Sequence, residues 1–127
     1  MRTAILSLLA STITFAAADI ARGQSTHDPV MEIVTFRLVP GISDADFLTA
    51  AKATRAMVAA QPGFVRRSLL RDETGLWTDT IHWQSLPQAQ AAAATVMADP
   101  AFAAFGAAID MASIDMRHTP ILWQMGD

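Results

Sequence analysis

Residues 76–97, LWTDTIHWQSLPQAQAAAATVM, read as a strand running straight into a helix with almost no loop, and the rest of the chain can be placed around that unit. In the strand half, Trp77, Asp79, Ile81 and Trp83 share one side, and Leu76, Thr78, Thr80 and His82 share the other. The helix half opens on Ser85, whose oxygen can accept from a first-turn N–H while Gln88 reaches back, the reciprocal pattern of a capping box. Pro87 falls in that first turn, where a missing N–H costs nothing. The alternation carries Asp79 to the side of Ile81 and Trp83, an awkward place for a carboxylate if that side lies under helices, so the inverted parity stays open as the alternative.

The other elements follow from period and punctuation. Residues 31–39, MEIVTFRLV, alternate as a strand with Val34, Phe36 and Leu38 on one face and Ile33, Thr35 and Arg37 on the other, ending at Pro40-Gly41. Ser43 starts a helix with Asp44 and Asp46 in its first turn; Phe47, Ala50, Ala51, Thr54, Met57 and Val58 form its apolar stripe. Gln61-Pro62-Gly63 stops it. Residues 64–71 predict a second strand, with Val65, Arg67 and Leu69 to one side and Phe64, Arg66, Ser68 and Leu70 to the other. A hairpin over residues 72–75 leads into Leu76. Asp99-Pro100 restarts helix, Phe102, Phe105 and Ile109 continue a stripe, and residues 116–123 predict a last strand that Pro120 marks as an edge or bulged one.

This β-α-β-β-α-β order predicts an α+β, ferredoxin-like domain: a four-stranded antiparallel sheet with two helices on one face. Each helix has one apolar stripe and covers one sheet face only. The opposite face, with Ile33, Leu76 and Leu70, is then left open in a monomer, and a second copy covers it by two-fold symmetry.

The 127-residue chain has no cysteine, so neither a disulfide nor a thiolate is available to it. A net charge of −3 without a basic run argues against nucleic acid. Residues 1–23 have a short positive start, an apolar run and small residues at cleavage spacing, which predicts a signal peptide cut near Ala18 or Gly23. The run is shorter than the roughly 20 apolar residues of a permanent span, so no stable membrane span is expected after processing. Residues 24–29 form a polar lead-in, and residues 30–124 the folded domain of an exported, periplasmic or secreted protein.

Three stretches carry a resemblance: the first strand ending in Pro40-Gly41, the element IHWQSLPQAQ, and ADPAF at residues 98–102. Together they resemble the dimeric α/β-barrel superfamily and, within it, the antibiotic-biosynthesis-monooxygenase-like group. Related families often place an aromatic before the helix cap, as Trp83 stands before Ser85, and frequently carry a histidine in the ADPAF-like segment, which this chain lacks. The resemblance implies a homodimeric barrel. Its members include cofactor-free oxygenases, haem-degrading enzymes, isomerases and proteins with no known reaction.

No histidine pair has metal-site spacing, and neither a phosphate loop nor a nucleophile elbow occurs, so neither a metal nor a cofactor is expected. His82 is the candidate catalytic residue: alternation sends it with Thr80 and Thr78 to the open face, where an imidazole can act as base, acid or haem ligand. Its alternative is a histidine held by hydrogen bonds in the dimer interface. Arg37 and Arg66, with Thr78 and Thr80, are the candidate ligand-binding residues, guanidinium groups suiting an anionic or enolate-like ligand. Arg117 and His118 point to opposite faces of the last strand, so at most one joins such a site; His27 lies in the lead-in. Two functions follow. One is a cofactor-independent oxygenase for a small aromatic or quinol-type substrate; the other is a non-catalytic binding or stress-related protein holding a hydrophobic ligand. The processing expectation has a direct check: the intact mass of the protein from its native host begins between Asp19 and His27, and full-length protein in the cytoplasm refutes export.

Overall fold

A computed structural model describes residues 27–126; the expected signal peptide and the first half of the lead-in lie outside the described residues. Four strands, β1 (Val30–Phe36), β2 (Phe64–Arg71), β3 (Trp77–Trp83) and β4 (Asp115–Pro120), form one sheet in the order β2-β3-β1-β4. Every neighbouring pair is antiparallel, so the architecture is the ferredoxin-like one. Pro120 closes an edge strand, where its lost N–H is harmless.

The helices stand over the face carrying Val30, Phe36, Trp77, Ile81 and Trp83, all buried. Helix α1 (Asp44–Ala53) is capped by the Ser43 hydroxyl, which accepts from Asp46 N–H at 3.1 Å. The single helix expected from residue 43 divides at Thr54, after which α2 (Arg55–Ala59) continues. The Thr54 hydroxyl donates to Ala51 O at 2.6 Å, a local bond of the kind that competes with the helical ladder. Helix α3 (Leu86–Ala98) starts at Ser85 as expected, but Gln88 closes the cap differently: its Oε1 takes the Ser85 hydroxyl at 3.0 Å. Gly63 packs against this cap at φ +85°, and a Cβ there would meet the Gln88 side chain at 2.3 Å, so the turn needs glycine. A 3-10 turn, Pro100–Phe102, leads into α4 (Ala103–Ala107), and a second, Met111–Ser113, precedes β4.

Four local expectations are corrected. A bulge between Phe64 and Arg66 puts Phe64 under the helices against Trp83, at a centroid distance of 5.9 Å, and leaves Val65 exposed on the other side. Plain alternation assigns both the wrong way. Leu76 belongs to the hairpin rather than the strand, because Asp72 Oδ1 accepts from Thr74 N–H, the Thr74 hydroxyl and Leu76 N–H. Those bonds hold the exposed Asp72 carboxyl below its usual range, the Thr74 hydroxyl first. The first strand ends at Phe36, since the following residues leave the sheet to meet the end of α4, with Val39 N–H donating to Ala108 O and Asp110 N–H to Arg37 O. The last strand ends at Pro120, and Trp123 lies beyond it, largely exposed.

The core has two apolar clusters. One gathers Phe36, Phe47, Trp77 and Phe105, with Phe47 at 4.8 Å from Trp77 and 5.2 Å from Phe105 between centroids. The other holds Val30, Val58, Ile81 and Trp83 beneath Ala89 and Ala92, whose small side chains let α3 lie close to the sheet. The Trp83 indole N–H is buried without a partner among the described residues, a cost that the ring's apolar burial outweighs.

An ion pair sits on the same face of the sheet. Arg67 Nε donates to Asp79 Oδ1 at 3.0 Å, Nη2 to Oδ2 at 2.7 Å and Nη1 to the Thr54 hydroxyl at 2.7 Å. The guanidinium lies 5.3 Å from the centre of the Phe105 ring. This resolves the awkward position of Asp79: it is on the helix-covered side and is fully paired there. Truncating one partner leaves an uncompensated buried charge. Asp79→Asn or Arg67→Met is therefore expected to cost about 3–5 kcal/mol, whereas Arg67→Met with Asp79→Leu recovers most of that loss. Urea unfolding of the three variants measures it, and singles within about 1 kcal/mol of the parent would contradict the account.

Candidate functional site

The register of the sheet draws a polar row beneath the helices. Arg67 on β2 stands opposite Ile81 on β3, Ile81 opposite Glu32 on β1, and Glu32 opposite His118 on β4. Asp79 is one step along the same face, opposite Val34. Glu32 Oε2 and His118 Nε2 are 2.7 Å apart, with side chains 8% and 19% exposed. Burial raises the Glu32 carboxyl above its ordinary value, with Asp79 adding to the shift. The hydrogen bond and charge of His118, and the charge of Arg67, oppose it.

Above this row is a partly open cavity of about 310 Å³. Its floor includes Glu32, Arg67 and Asp79, and Thr54 joins them from the end of α1. Its roof is apolar, from Ala93 and Val96 on α3 to Phe102, Phe105 and Ile109. Gly106 shapes that roof: a Cβ on it would come within 2.7 Å of the Phe102 ring, so a larger residue displaces the ring. Met97, Met111 and Met116 also line the cavity yet are well exposed, and form an adaptable rim. The volume is at the lower end of the roughly 300–1,000 Å³ usual for ligand pockets, and suits one small ring system. Among the described residues no group of three His, Cys, Asp or Glu side chains could hold a metal ion.

The residues singled out from sequence lie elsewhere. His82, Thr80 and Arg66 do come together, with Met31, Val65, Ser68 and Gln124, around a shallow depression of about 160 Å³ on the open face. Thr78 is further along that face, between Thr35 and Leu70. The structure does not bring Arg37 to them: it lies past the end of β1, and its Nη1 donates to Thr74 O at 2.8 Å. Sequence reasoning missed Glu32, Arg67, Asp79 and His118 as a group. Their signal was parity, since Glu32 alternates in step with Val34 and Phe36, and Asp79 with Trp77 and Ile81.

No protein-family model and no curated protein matches the chain. Solved structures do. A mutant of SnoaB, a cofactor-independent oxygenase from Streptomyces nogalater, superposes with a TM-score of 0.63 at 22% identity, covering 79% of this chain and 99% of that one. A candidate antibiotic biosynthesis monooxygenase from Bordetella bronchiseptica gives 0.66 at 15% identity, over 76% and 99%. Another from Caulobacter crescentus gives 0.63 at 19%, over 77% and 93%. Identities this low speak to fold: the chain has the four-stranded, ferredoxin-like α+β fold of these antibiotic biosynthesis monooxygenase structures, the group its sequence resembles.

Proposed function

We propose that the protein is an exported, homodimeric cofactor-independent oxygenase that oxidises a small hydroxyarene or quinol in the cavity between sheet and helices. One observation carries the reading: an apolar cavity sized for a small ring system has charged groups only on its floor, and those are already paired. The structural likeness to a cofactor-independent oxygenase supports it. In such chemistry the substrate reduces oxygen itself. A hydroxyarene with a free ring position takes up one dioxygen, gains one oxygen atom as a quinone carbonyl and releases the other, with two hydrogens, as water. The protein contributes a dry cavity, a proton acceptor and fixed dipoles facing the developing anion.

The open sheet face supports the dimer. Val65 and Leu70 are exposed there, Met31 and Ile33 half-buried, and among the described residues no element covers them. Leu122 and Trp123, 93% and 77% exposed, follow β4 in the segment whose Gln124 reaches the same face. A second copy joined sheet to sheet buries all of these, and places His82, Thr80 and Arg66 at the interface. No described helix is long and apolar enough to cross a membrane.

Two measurements test the proposal. Oxygen uptake with 1-naphthol, without added cofactor, should yield a quinone in equal amount, and Ala93→Phe, which fills the cavity, should abolish turnover. Binding without oxygen uptake would favour the non-catalytic alternative. Light scattering should give twice the mature mass, and Leu70→Asp should shift the protein toward monomer; a stable parent monomer at micromolar concentration rules the dimer out.

A further inference from the structure

We propose, resting on the reading of the inner cavity as the reacting site, that Glu32 is its proton acceptor and His118 the residue that positions it, so that the site selects a substrate by an acidic O–H group.

The cavity floor offers two carboxylates, and only one is free to act. Both oxygens of Asp79 are held by Arg67, through Nε and Nη2. The guanidinium is in turn committed to Asp79, Thr54 and the Phe105 ring. Glu32 differs. Its Oε2 meets His118 at 2.7 Å, whereas Oε1 makes no hydrogen bond to another described residue, and the side chain lines the cavity. The charged groups facing Glu32 are His118 on β4, Asp79 on β3 and Arg67 on β2. Helices α3 and α4, which roof it, carry no charged residue. With Arg67 neutralised by Asp79, no unbalanced cation waits for an anion, so the cavity suits a neutral hydroxyarene that ionises once inside. Desolvation makes the Glu32 carboxylate a stronger base than one in water, and the hydrogen bond and charge of His118 oppose that rise.

The proton inventory closes. Oε1 takes the O–H proton, and the ring anion adds dioxygen at a free position to give a peroxide. Glu32 returns its proton to the outer peroxide oxygen. Glu32, again a carboxylate, takes the ring C–H proton. The C–H electron pair forms the second carbonyl as the O–O bond breaks and hydroxide leaves, and the hydroxide takes that proton from Glu32 to become water.

The test uses the full protein with 1-naphthol and follows oxygen uptake against pH, beside thermal melts of each variant. Glu32→Gln keeps an acceptor for His118 and is expected to lower kcat by roughly 10²–10⁴-fold, the usual contribution of a positioned base. His118→Leu removes the bond that lowers the Glu32 pKa. The acid limb of kcat/KM should therefore move to higher pH, a shift that loss of a purely structural contact does not produce. If Glu32→Gln fails to fold, the His118→Leu profile decides: a limb moved upward supports the assignment and an unmoved limb overturns it. A parent protein that turns over while Glu32→Gln keeps its rate within about threefold overturns the Glu32 role alone. A parent that takes up no oxygen removes the reading of the cavity as a reacting site, and this role with it.

Discussion

The rest of the structure depends on the buried pairing of Arg67 with Asp79. Two charges on the helix side of a sheet are costly unless their hydrogen bonds are made, and here they are made to each other and to Thr54. The pair joins edge strand β2 to central strand β3, ties both to the end of α1, and sets a cation against the Phe105 ring of α4. Three layers of contact therefore meet at one guanidinium. The two apolar clusters lie on either side of that polar row, and the cavity lies over it.

That arrangement explains how a small domain keeps a cavity at all. A face lined only by apolar side chains tends to collapse to native packing density. Charged groups cannot be squeezed against an apolar roof without losing their partners, so the row resists closure. Gly106 and the short α4 then leave space above the row, and exposed methionines at the rim adapt to what enters. The same polar groups that cost stability supply the chemistry proposed for the cavity.

The two faces of the sheet divide the work. The covered face has charge in matched pairs among aromatic and aliphatic side chains; the open face has threonines, His82 and arginines among Met31, Ile33, Val65 and Leu70. A face of the second kind is suited to a partner surface, and one of the first kind to a small molecule.

Much of this was legible in the chain itself. Alternation in residues 77–83, the Ser85 and Asp99 caps, and the glycine and proline stops are local effects, governed by backbone geometry and a few neighbouring atoms. They determined the element order and hence the fold, while the charge of Asp79 left open which side of β3 the helices cover. What local periodicity does not contain is a bulge, which reversed Phe64 and Val65, or the hairpin bonds of Asp72, which took Leu76 out of the strand. Nor does it contain register. Glu32 and His118 are 86 residues apart, and Arg67 and Asp79 are on different strands. Each alone reads as an out-of-place charge or an ordinary edge histidine. Only antiparallel pairing in the order β2-β3-β1-β4 aligns them into one row, because cross-strand neighbours are set by tertiary hydrogen bonding rather than by nearness in sequence.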